Sequence, residues 1–396
     1  MTQPGAGLMR MAITALFFVN GMAMASWFVR IPAIKSGLGL SAGQLGLALL
    51  CVAGGSILMM LLSSGLIERF GASRVLIAGA PLLCLGLSLP ALAPGLLALS
   101  LAGLVLGAGN GLMNVALNSR ASGLEQEYGR PIMSSFHALF SLGGFVAAVA
   151  GGLVAAAGVG AAVHLPLVAL GLLAVASGFF PLLLKDAGGG ARKSVREDNG
   201  EAATGKRFSM PSPAVLALGV IGFSVLFGEG AMADWSAVYL RSLGTTEGVA
   251  AAGYALFSLA MAAGRFSGDR LTELLGAASL VRLGGLLGAM GLAVVLLSGW
   301  PPLALLGFGV IGLGFSTIFP LTLSAAGETG KVPSATIAFV SACGYGGFLL
   351  GPAVIGFFAQ LTALSISLVT VIALSLLVAV VARVLGPGTA VVHEPA

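Results

Sequence analysis

Long and almost uninterrupted runs of apolar residues follow one another along this chain, and they predict helices that cross a membrane. An α-helix needs about 20 mostly apolar residues to span the hydrocarbon core of a bilayer. Strands of a membrane barrel would instead alternate apolar and polar residues in segments of about ten. Twelve apolar runs are present: Met9–Val29, Gln44–Ile67, Val75–Ala93, Leu96–Leu117, Met133–Ala156, Val163–Leu184, Pro213–Leu240, Val249–Ser267, Ala277–Ser298, Leu303–Ala325, Thr336–Leu361 and Leu364–Leu385. The pattern therefore predicts an all-α membrane protein with twelve transmembrane helices.

A single long polar stretch separates the first six predicted helices from the last six. It is rich in basic residues and in glycine, as a flexible cytoplasmic linker would be. Short motifs of the first half return in the second half, in the same order and at a nearly constant separation: Met24-Ala25-Ser26-Trp27 with Met232-Ala233-Asp234-Trp235, Gly107-Ala108-Gly109 with Gly312-Leu313-Gly314, and Gly143-Gly144-Phe145 with Gly346-Gly347-Phe348. We therefore expect two pseudo-symmetric six-helix halves, residues 1–184 and 213–396, joined by a linker of residues 185–212.

The composition and the distribution of charge favour the same architecture. The chain is 58% apolar and only 8% charged, whereas a soluble globular protein carries about 25% charged residues. All of its 19 Lys and Arg except Arg30, Lys35 and Arg241 fall on the side of the predicted termini and linker. The positive-inside rule places that side in the cytoplasm. The net charge of +5 therefore reflects orientation in the membrane, and we expect no nucleic-acid partner.

Motifs for catalysis, metal binding or nucleotide hydrolysis do not occur in the sequence. Cys51, Cys84 and Cys343 lie inside apolar runs and have no spacing that suggests a metal site or a disulfide framework. The sequence also has no Gly-x-x-x-x-Gly-Lys-[Ser/Thr] loop and no His-Glu-x-x-His motif. We expect no enzymatic activity, no metal, no cofactor and no ATP-driven pumping.

The connection between the second and third predicted helices carries a recognisable motif. Ser64-Gly65-Leu66-Ile67-Glu68-Arg69-Phe70-Gly71-Ala72-Ser73-Arg74 resembles the Gly-x-Leu-Ala-Asp-Arg-x-Gly-Arg-Arg signature that the major facilitator superfamily has at this place, with a degenerate second copy that keeps Glu273 and Gly276. With twelve spans divided six and six, the chain resembles that superfamily over its whole length. The resemblance implies a cytoplasmic gate formed by Glu68, Arg69, Gly71, Arg74, Arg265, Asp269 and Glu273. The alternative is a solvated loop whose charges only follow the positive-inside rule.

Other segments look like the bacterial group akin to fucose-permease-type sugar carriers. They are Gly111-Leu112-Met113-Asn114, His137 with Gly143-Gly144, Gly230-Ala231-Met232-Ala233-Asp234-Trp235 and Gly264-Arg265-Phe266-Ser267-Gly268-Asp269. The resemblance implies a monomeric carrier of the bacterial inner membrane that moves a small organic solute by alternating access. Drug-proton antiporters often have an Arg where this chain has Val105, which disfavours that class.

Two acidic residues fall inside a predicted span, Glu229 and Asp234 of the seventh helix. Ionised groups in hydrocarbon are costly and usually line a cavity or a proton path. The two are five residues apart and so point about 140° away from each other on a helix. We predict that they couple transport to protons, with Glu229 as the better candidate. The alternatives are a structural pairing of Glu229 with Arg265 and an interfacial helix cap at Asp234.

Uncharged polar and aromatic residues inside the other spans are the candidates for solute binding. Asn110, Asn114 and Asn118 form one polar stripe on the fourth helix, beside a ridge of Gly103, Gly107 and Gly111 that permits close helix packing. The solute candidates are Asn20, Trp27, Asn110, Asn114, His137, Trp235 and Tyr345. The Asn residues and His137 can also serve helix packing, and the Trp residues can anchor helices at the membrane interface.

These features favour a secondary active transporter that is coupled to protons and carries a sugar or another small polar solute. An exporter of amphipathic or drug-like compounds, and a transporter-like sensor that binds without transport, stay open as alternatives. The expected partners are the solute, the coupling proton and the lipid bilayer.

Overall fold

A computed structural model describes residues 5–129, 132–189, 212–329 and 333–386, without the side chains of residues 134, 187–189, 269 and 333–335. These residues form fourteen α-helices and no strand. In chain order the helices are α1 Ala6–Gly37, α2 Ala42–Phe70, α3 Ala72–Ser88, α4 Leu96–Tyr128, α5 Met133–Ala156, α6 Ala161–Ser177, α7 Phe180–Gly189, α8 Pro213–Ser242, α9 Glu247–Leu275, α10 Ala277–Ser298, α11 Pro301–Phe315, α12 Ile318–Glu328, α13 Pro333–Leu361 and α14 Leu364–Val381. Single turns of 3₁₀ helix, Leu89–Leu92 and Ala382–Leu385, follow α3 and α14.

Eleven described segments are long and apolar enough to cross a membrane, and α11 with α12 counts as one of them. The pair of α6 and α7 is bent by 43° and makes a twelfth span when it is taken as one. The prediction of an all-α membrane protein with twelve spans is therefore confirmed. The predicted continuous segment Val163–Leu184 is instead divided into two helices.

A proline lies just after each of the two interruptions within a span. A proline inside a helix lacks the N–H that would bond to the carbonyl four residues earlier, and its ring clashes with that carbonyl. Four residues before Pro181 is Ser177, where α6 ends. Four residues before Pro320 is Ser316, which lies in the break between α11 and α12.

The helices pack into two compact units. Unit 1 comprises Met1–Leu40 and Leu47–Ser209, and unit 2 comprises Ser41–Gly46 and Met210–Ala396. Most of α1 to α7 thus belongs to unit 1, and α8 to α14 belong to unit 2. In unit 1 the helix pairs α1 with α5 and α3 with α4 pack closely, and in unit 2 α8 with α13 and α10 with α11 do so.

The repeat is visible in the backbone of matched turns. Gly71 precedes α3 with φ 82° and ψ 148°, and Gly276 precedes α10 with φ 76° and ψ 151°. Both lie in the region of positive φ that favours glycine. Each accepts the first bond of the following helix, from Val75 N in one half and from Leu280 N in the other. The two halves therefore begin their third spans with the same local geometry.

Matched glycines also bring matched helices together. A Cβ on Gly107 of α4 would collide with the carbonyl oxygen of Val52 on α2. A Cβ on Gly312 of α11 would collide in the same way with the carbonyl oxygen of Phe257 on α9. Since a side chain would force these backbones apart, glycine is what permits the contact. The predicted close packing along the glycine ridge of α4 is confirmed.

Candidate functional site

The two membrane acids lie on α8 inside unit 2. Glu229 is near the middle of the helix, and its Oε2 lies 3.6 Å from Nη2 of Arg265 on α9. The other carboxylate oxygen, Oε1, is buried and has no hydrogen-bond partner among the described residues. Asp234 is buried as well, and its Oδ1 has no partner within that part of the chain. The predicted alternative that Glu229 pairs with Arg265 is thus what the structure shows, and it leaves one oxygen unsatisfied.

A polar stripe on α9, which the sequence analysis did not identify, faces these acids. Tyr254 and Ser258 are buried, and their side chains share a hydrogen bond. Ser258 and Arg265 follow Tyr254 at helical spacings that keep the three on one face. That helical spacing was the signal available in the sequence.

Unit 1 contains a chain of hydrogen bonds between α4 and α5. Asn118 Nδ2 donates to the backbone oxygen of Asn114 at 2.8 Å and lies 3.2 Å from its Oδ1. Because a carbonyl oxygen can only accept, this contact fixes the amide of Asn118 with Oδ1 towards His137 Nε2, 3.2 Å away. Nε2 must therefore carry a proton. The His137 ring also lies edge-on to Phe17, with 5.3 Å between centroids.

The remaining amides of the predicted solute site lie in the same unit. Asn110 is half-buried on α4, one turn before Asn114. Asn20 of α1 is 1% exposed, and its Oδ1 has no partner among the described residues. An amide oxygen buried in this way is costly unless a water or a ligand group supplies a donor. The described hydrogen bonds join Asn114, Asn118 and His137, and the amides carry no formal charge.

The aromatic candidates occupy different surroundings. Trp27 is 1% exposed and Trp235 is 0% exposed, so neither ring is at the surface. Trp235 donates its Nε1–H to the backbone oxygen of Pro352 at 3.0 Å, while Nε1 of Trp27 has no described partner. Tyr345 of α13 is half-buried and packs edge-on against Phe319, with 6.5 Å between the ring centroids.

The predicted gating residues of the first half surround the turn at Gly71. Glu68, Arg69 and Arg74 are exposed. The guanidinium of Arg69 lies 5.2 Å from the centre of the Phe70 ring, and Arg74 Nη1 donates to the Phe70 backbone oxygen at 3.4 Å. Within the described residues these side chains form no ion pair.

In the second half, the structure separates the predicted gating residues. Glu273 is exposed near the end of α9. Arg265 lies two turns earlier and contacts Glu229. The side chain of Asp269 lies outside the described residues.

A denser charged network that the sequence analysis missed lies elsewhere in unit 1. Two nitrogens of the Arg120 guanidinium on α4 donate to the Asp186 carboxylate on α7. The distances are 2.9 Å from Nε and 3.0 Å from Nη2. Arg120 also contacts Glu127 at 3.2 Å, and the hydroxyl of Ser73 on α3 donates to Asp186. Such bidentate pairs are among the stronger hydrogen-bonded ion pairs. The network ties α7 to α3 and α4.

A second missed feature is a buried arginine in α1. Arg30 is 1% exposed, although its position suggested only a loop cation on the outer face. Its Nε donates to His164 Nδ1 of α6 at 3.0 Å, and Nη2 donates to the Val159 backbone oxygen at 2.9 Å. The sequence offered no signal for this pairing, because His164 is distant along the chain.

No group of three or more potential metal ligands occurs among the described residues. Membrane-spanning helices in two repeated halves, with buried polar groups inside the spans, define a multi-pass helical membrane carrier. A family model described as Major Facilitator Superfamily matches residues 13–336. The chain belongs to that superfamily and is a transporter of it.

Relatives at higher identity support the same family. The chain is 37% identical to an uncharacterized MFS-type transporter of Yersinia pestis, a match that covers 96% of each chain. It is 34% identical to the membrane protein MosC of Rhizobium meliloti, over 96% of this chain and 90% of that one.

Solved structures show the same fold at lower identity. The nucleoside transporter NupG gives a TM-score of 0.70 at 14% identity, covering 95% of this chain and 97% of that one. A bacterial homolog of the human lysosomal transporter Spinster gives 0.65 at 16%, covering 97% of both. The MFS transporter FucP gives 0.62 at 16%, covering 94% and 97%.

Proposed function

We propose that this transporter carries a small uncharged polar solute by alternating access and couples that movement to protons. The observation that carries the proposal is the half-buried ion pair of Glu229 and Arg265, in which one carboxylate oxygen is buried and lacks a described partner. Unit 1 supplies the polar groups for the solute, and unit 2 supplies the groups for the proton.

The argument for proton coupling rests on the cost of charge in an apolar interior. An ion pair removed from water is stable only when both partners are present and well hydrogen-bonded. Protonation of Glu229 removes its charge, weakens its hold on Arg265 and changes how α8 and α9 are tied together. A group with these properties can link the binding of a proton to a change between two helix arrangements.

The argument for an uncharged solute rests on the polar group of unit 1. Asn20, Asn110, Asn114 and His137 offer amide and imidazole donors and acceptors, and no carboxylate, ammonium or guanidinium group is among them. Hydroxyl and carbonyl groups of a neutral solute match such a surface, whereas an ionic solute would meet no opposite charge there. A nucleoside is a solute of this kind, and NupG, which shares the fold, is a nucleoside transporter.

We also propose an orientation for the chain in the bacterial inner membrane. Both termini, the residues 185–212 and the turn at Gly71 lie on the cytoplasmic side, as the distribution of Lys and Arg requires under the positive-inside rule. Glu68, Arg69 and Arg74 then serve as a cytoplasmic gate. Trp27 and Trp235 are buried and support the packing of the helices that carry the polar groups.

Two experiments test the function. A thermal-shift screen of the purified protein against neutral sugars, polyols and nucleosides should identify a stabilising ligand, because a ligand stabilises the folded state by mass action. Uptake of that ligand into proteoliposomes should then rise when a proton gradient is imposed. Binding of charged compounds alone would refute the uncharged solute. Uptake that is the same with and without the proton gradient would refute the proton coupling.

Glu229→Gln tests the coupling residue directly. The variant keeps the shape of the side chain but cannot gain or lose a proton, so we expect exchange of solute across the membrane to persist and uphill accumulation to vanish. Glu328→Gln is the matched control, since that carboxylate is exposed at the end of α12. Accumulation by Glu229→Gln at the rate of the unmodified protein would contradict the assignment.

A further inference from the structure

We propose that the contact between Arg30 and His164 is a pH-sensitive latch. It holds the end of α1 against the start of α6 while His164 is neutral, and it opens when that histidine takes up a proton. The proposal involves neither the solute nor Glu229, so it goes beyond the proposed function. Only its placement on the outer side of the membrane rests on the orientation proposed above.

The hydrogen bond between the two side chains defines the protonation state of His164. Nε of Arg30 donates to Nδ1 of His164 at 3.0 Å. A guanidinium has donors only and keeps its charge in proteins, so Nδ1 is the acceptor and carries no proton. The ring is therefore the neutral form with its proton on Nε2.

Both partners of the latch are enclosed by unit 1. Arg30 is 1% exposed and His164 is 5% exposed. Nη2 of Arg30 also donates to the backbone oxygen of Val159, in the connection between α5 and α6, at 2.9 Å. A Cβ on Gly151 would lie 3.3 Å from Cε1 of His164, so the ring lies against the α5 backbone. An imidazolium formed in this place would bring a second positive charge against the guanidinium, and separating α1 from α6 relieves that repulsion.

The other charged groups near α6 do not offset this repulsion. The elements packed against α6 are α1, α3, α5, α7 and the turn Leu89–Leu92. Their described titratable or charged residues are Arg10, Arg30, Lys35, Arg74, Cys84, His137, Lys185 and Asp186. Along their helices, all but Arg30, Lys35 and Cys84 lie at the end away from His164.

The two further groups at the same end keep a constant charge. Lys35 follows Arg30 by five residues and so points about 140° away from it on the helix. The thiol of Cys84 is uncharged at neutral and acidic pH, since a cysteine has a pKa of about 8.5. Among the described residues at this end, His164 is therefore the group whose charge changes between neutral and mildly acidic pH.

The expected pH dependence follows from proton linkage. A histidine in water has a pKa of about 6.5, and His164 becomes hydrated once the latch is open. The open form then binds more protons than the closed form, so its share rises as the pH falls. Between about pH 7.5 and about pH 5.5 the ratio of open to closed latch should rise about tenfold. Acid outside the cell thus loosens the outer end of α1, the helix that also carries Asn20.

Nitrogen NMR of the histidine-labelled full-length protein in lipid nanodiscs tests the closed latch. The chain has three histidines, His137, His164 and His393. The signal of His164 is assigned by its loss in His164→Asn, or by elimination from His137→Asn and His393→Asn if that variant does not fold. At about pH 7.5 we expect a bare Nδ1 and a protonated Nε2. A proton on Nδ1 at this pH would overturn the latch.

Hydrogen exchange measured by mass spectrometry tests the opening of the latch. The connection between α5 and α6 is held to α1 through Val159, so the amides of residues 158–164 should exchange when the latch opens. His164→Asn keeps a side-chain oxygen that can accept from Arg30 but takes up no proton in this pH range. The exchange rate of the unmodified protein, divided by that of His164→Asn at the same pH, should rise about tenfold from about pH 7.5 to about pH 5.5.

His393→Asn is the matched control. It removes a histidine close to the C-terminus, outside the described residues, and should exchange like the unmodified protein at both pH values. A ratio for His164→Asn that does not change with pH would overturn the latch. Glu229→Gln should keep the latch intact, and a failed latch leaves uphill accumulation through Glu229 untouched. The two proposals can therefore fail separately.

Discussion

Replacing Gly55 by alanine should loosen the contact between α2 and α4, and replacing its neighbour Gly54 should not. A Cβ on Gly55 would collide with the carbonyl oxygen of Leu104 and lie 2.9 Å from the Leu104 carbonyl carbon and 3.0 Å from the Ala108 nitrogen. A Cβ on Gly54 would meet only the side chain of Leu104, at 3.9 Å. The two substitutions are chemically identical and adjacent on one helix.

The expected magnitude follows from two opposing effects. Alanine is favoured over glycine inside a helix by roughly 0.5–1 kcal/mol, and both variants gain this. Overpacking a close contact costs about 1–3 kcal/mol, and only Gly55→Ala bears this because backbone atoms cannot rotate away. The free energy of unfolding should therefore be unchanged or slightly higher in Gly54→Ala, and lower than that of Gly54→Ala by about 1–3 kcal/mol in Gly55→Ala.

Steric trapping in lipid bicelles measures this free energy for membrane proteins without harsh denaturants. The comparison between the two variants removes the helix-propensity contribution, so the difference reports the packing alone. Equal stabilities, or a more stable Gly55→Ala, would show that α2 and α4 are not in backbone contact and would refute the reasoning from the glycine ridge.

Three further predictions concern stability. In a double-mutant cycle, Arg120→Ala and Asp186→Ala should show a coupling energy of about 1–2 kcal/mol, and additive effects would contradict the bidentate pair. Gly276→Ala should lower the melting temperature of the purified protein, because a non-glycine residue at such a φ costs about 1–3 kcal/mol; an unchanged melting temperature would argue against the turn geometry. Arg30→Lys should also lower it, since lysine cannot reproduce the two directed hydrogen bonds of the guanidinium, and full stability in that variant would show that the charge alone suffices.

The sequence predicted the spans well and their interruptions poorly. Apolar runs are long enough to be unambiguous, because the hydrocarbon thickness sets their length. The run Val163–Leu184 is apolar throughout, so hydropathy could not reveal that Pro181 divides it. The fourth helix likewise continues to Tyr128, beyond the predicted end at Leu117, because residues such as Arg and Glu form helix readily outside the membrane.

The candidate site was predictable where one residue is rare in its surroundings. Glu229 and Asp234 are conspicuous because acids are seldom found inside spans. Tyr254 and His164 are ordinary residues for such helices, and their importance depends on neighbours that are distant in sequence. Arg120 was counted only as a cytoplasmic charge, because its partner Asp186 is brought near by the bend between α6 and α7.

The interruption between α11 and α12 has a mechanical consequence for the acidic group. Gly264 of α9 packs so tightly against Ser316, in that interruption, that a Cβ on Gly264 would collide with the serine hydroxyl. Arg265, which holds Glu229, is the next residue. If Glu229 is protonated and α9 then shifts, the contact between Gly264 and Ser316 transmits that shift to the break between α11 and α12. The helix is not continuous there, so the span can bend at that point. We expect the break at Ser316 to act as a hinge, about which the span bends when protonation of Glu229 allows α9 to move.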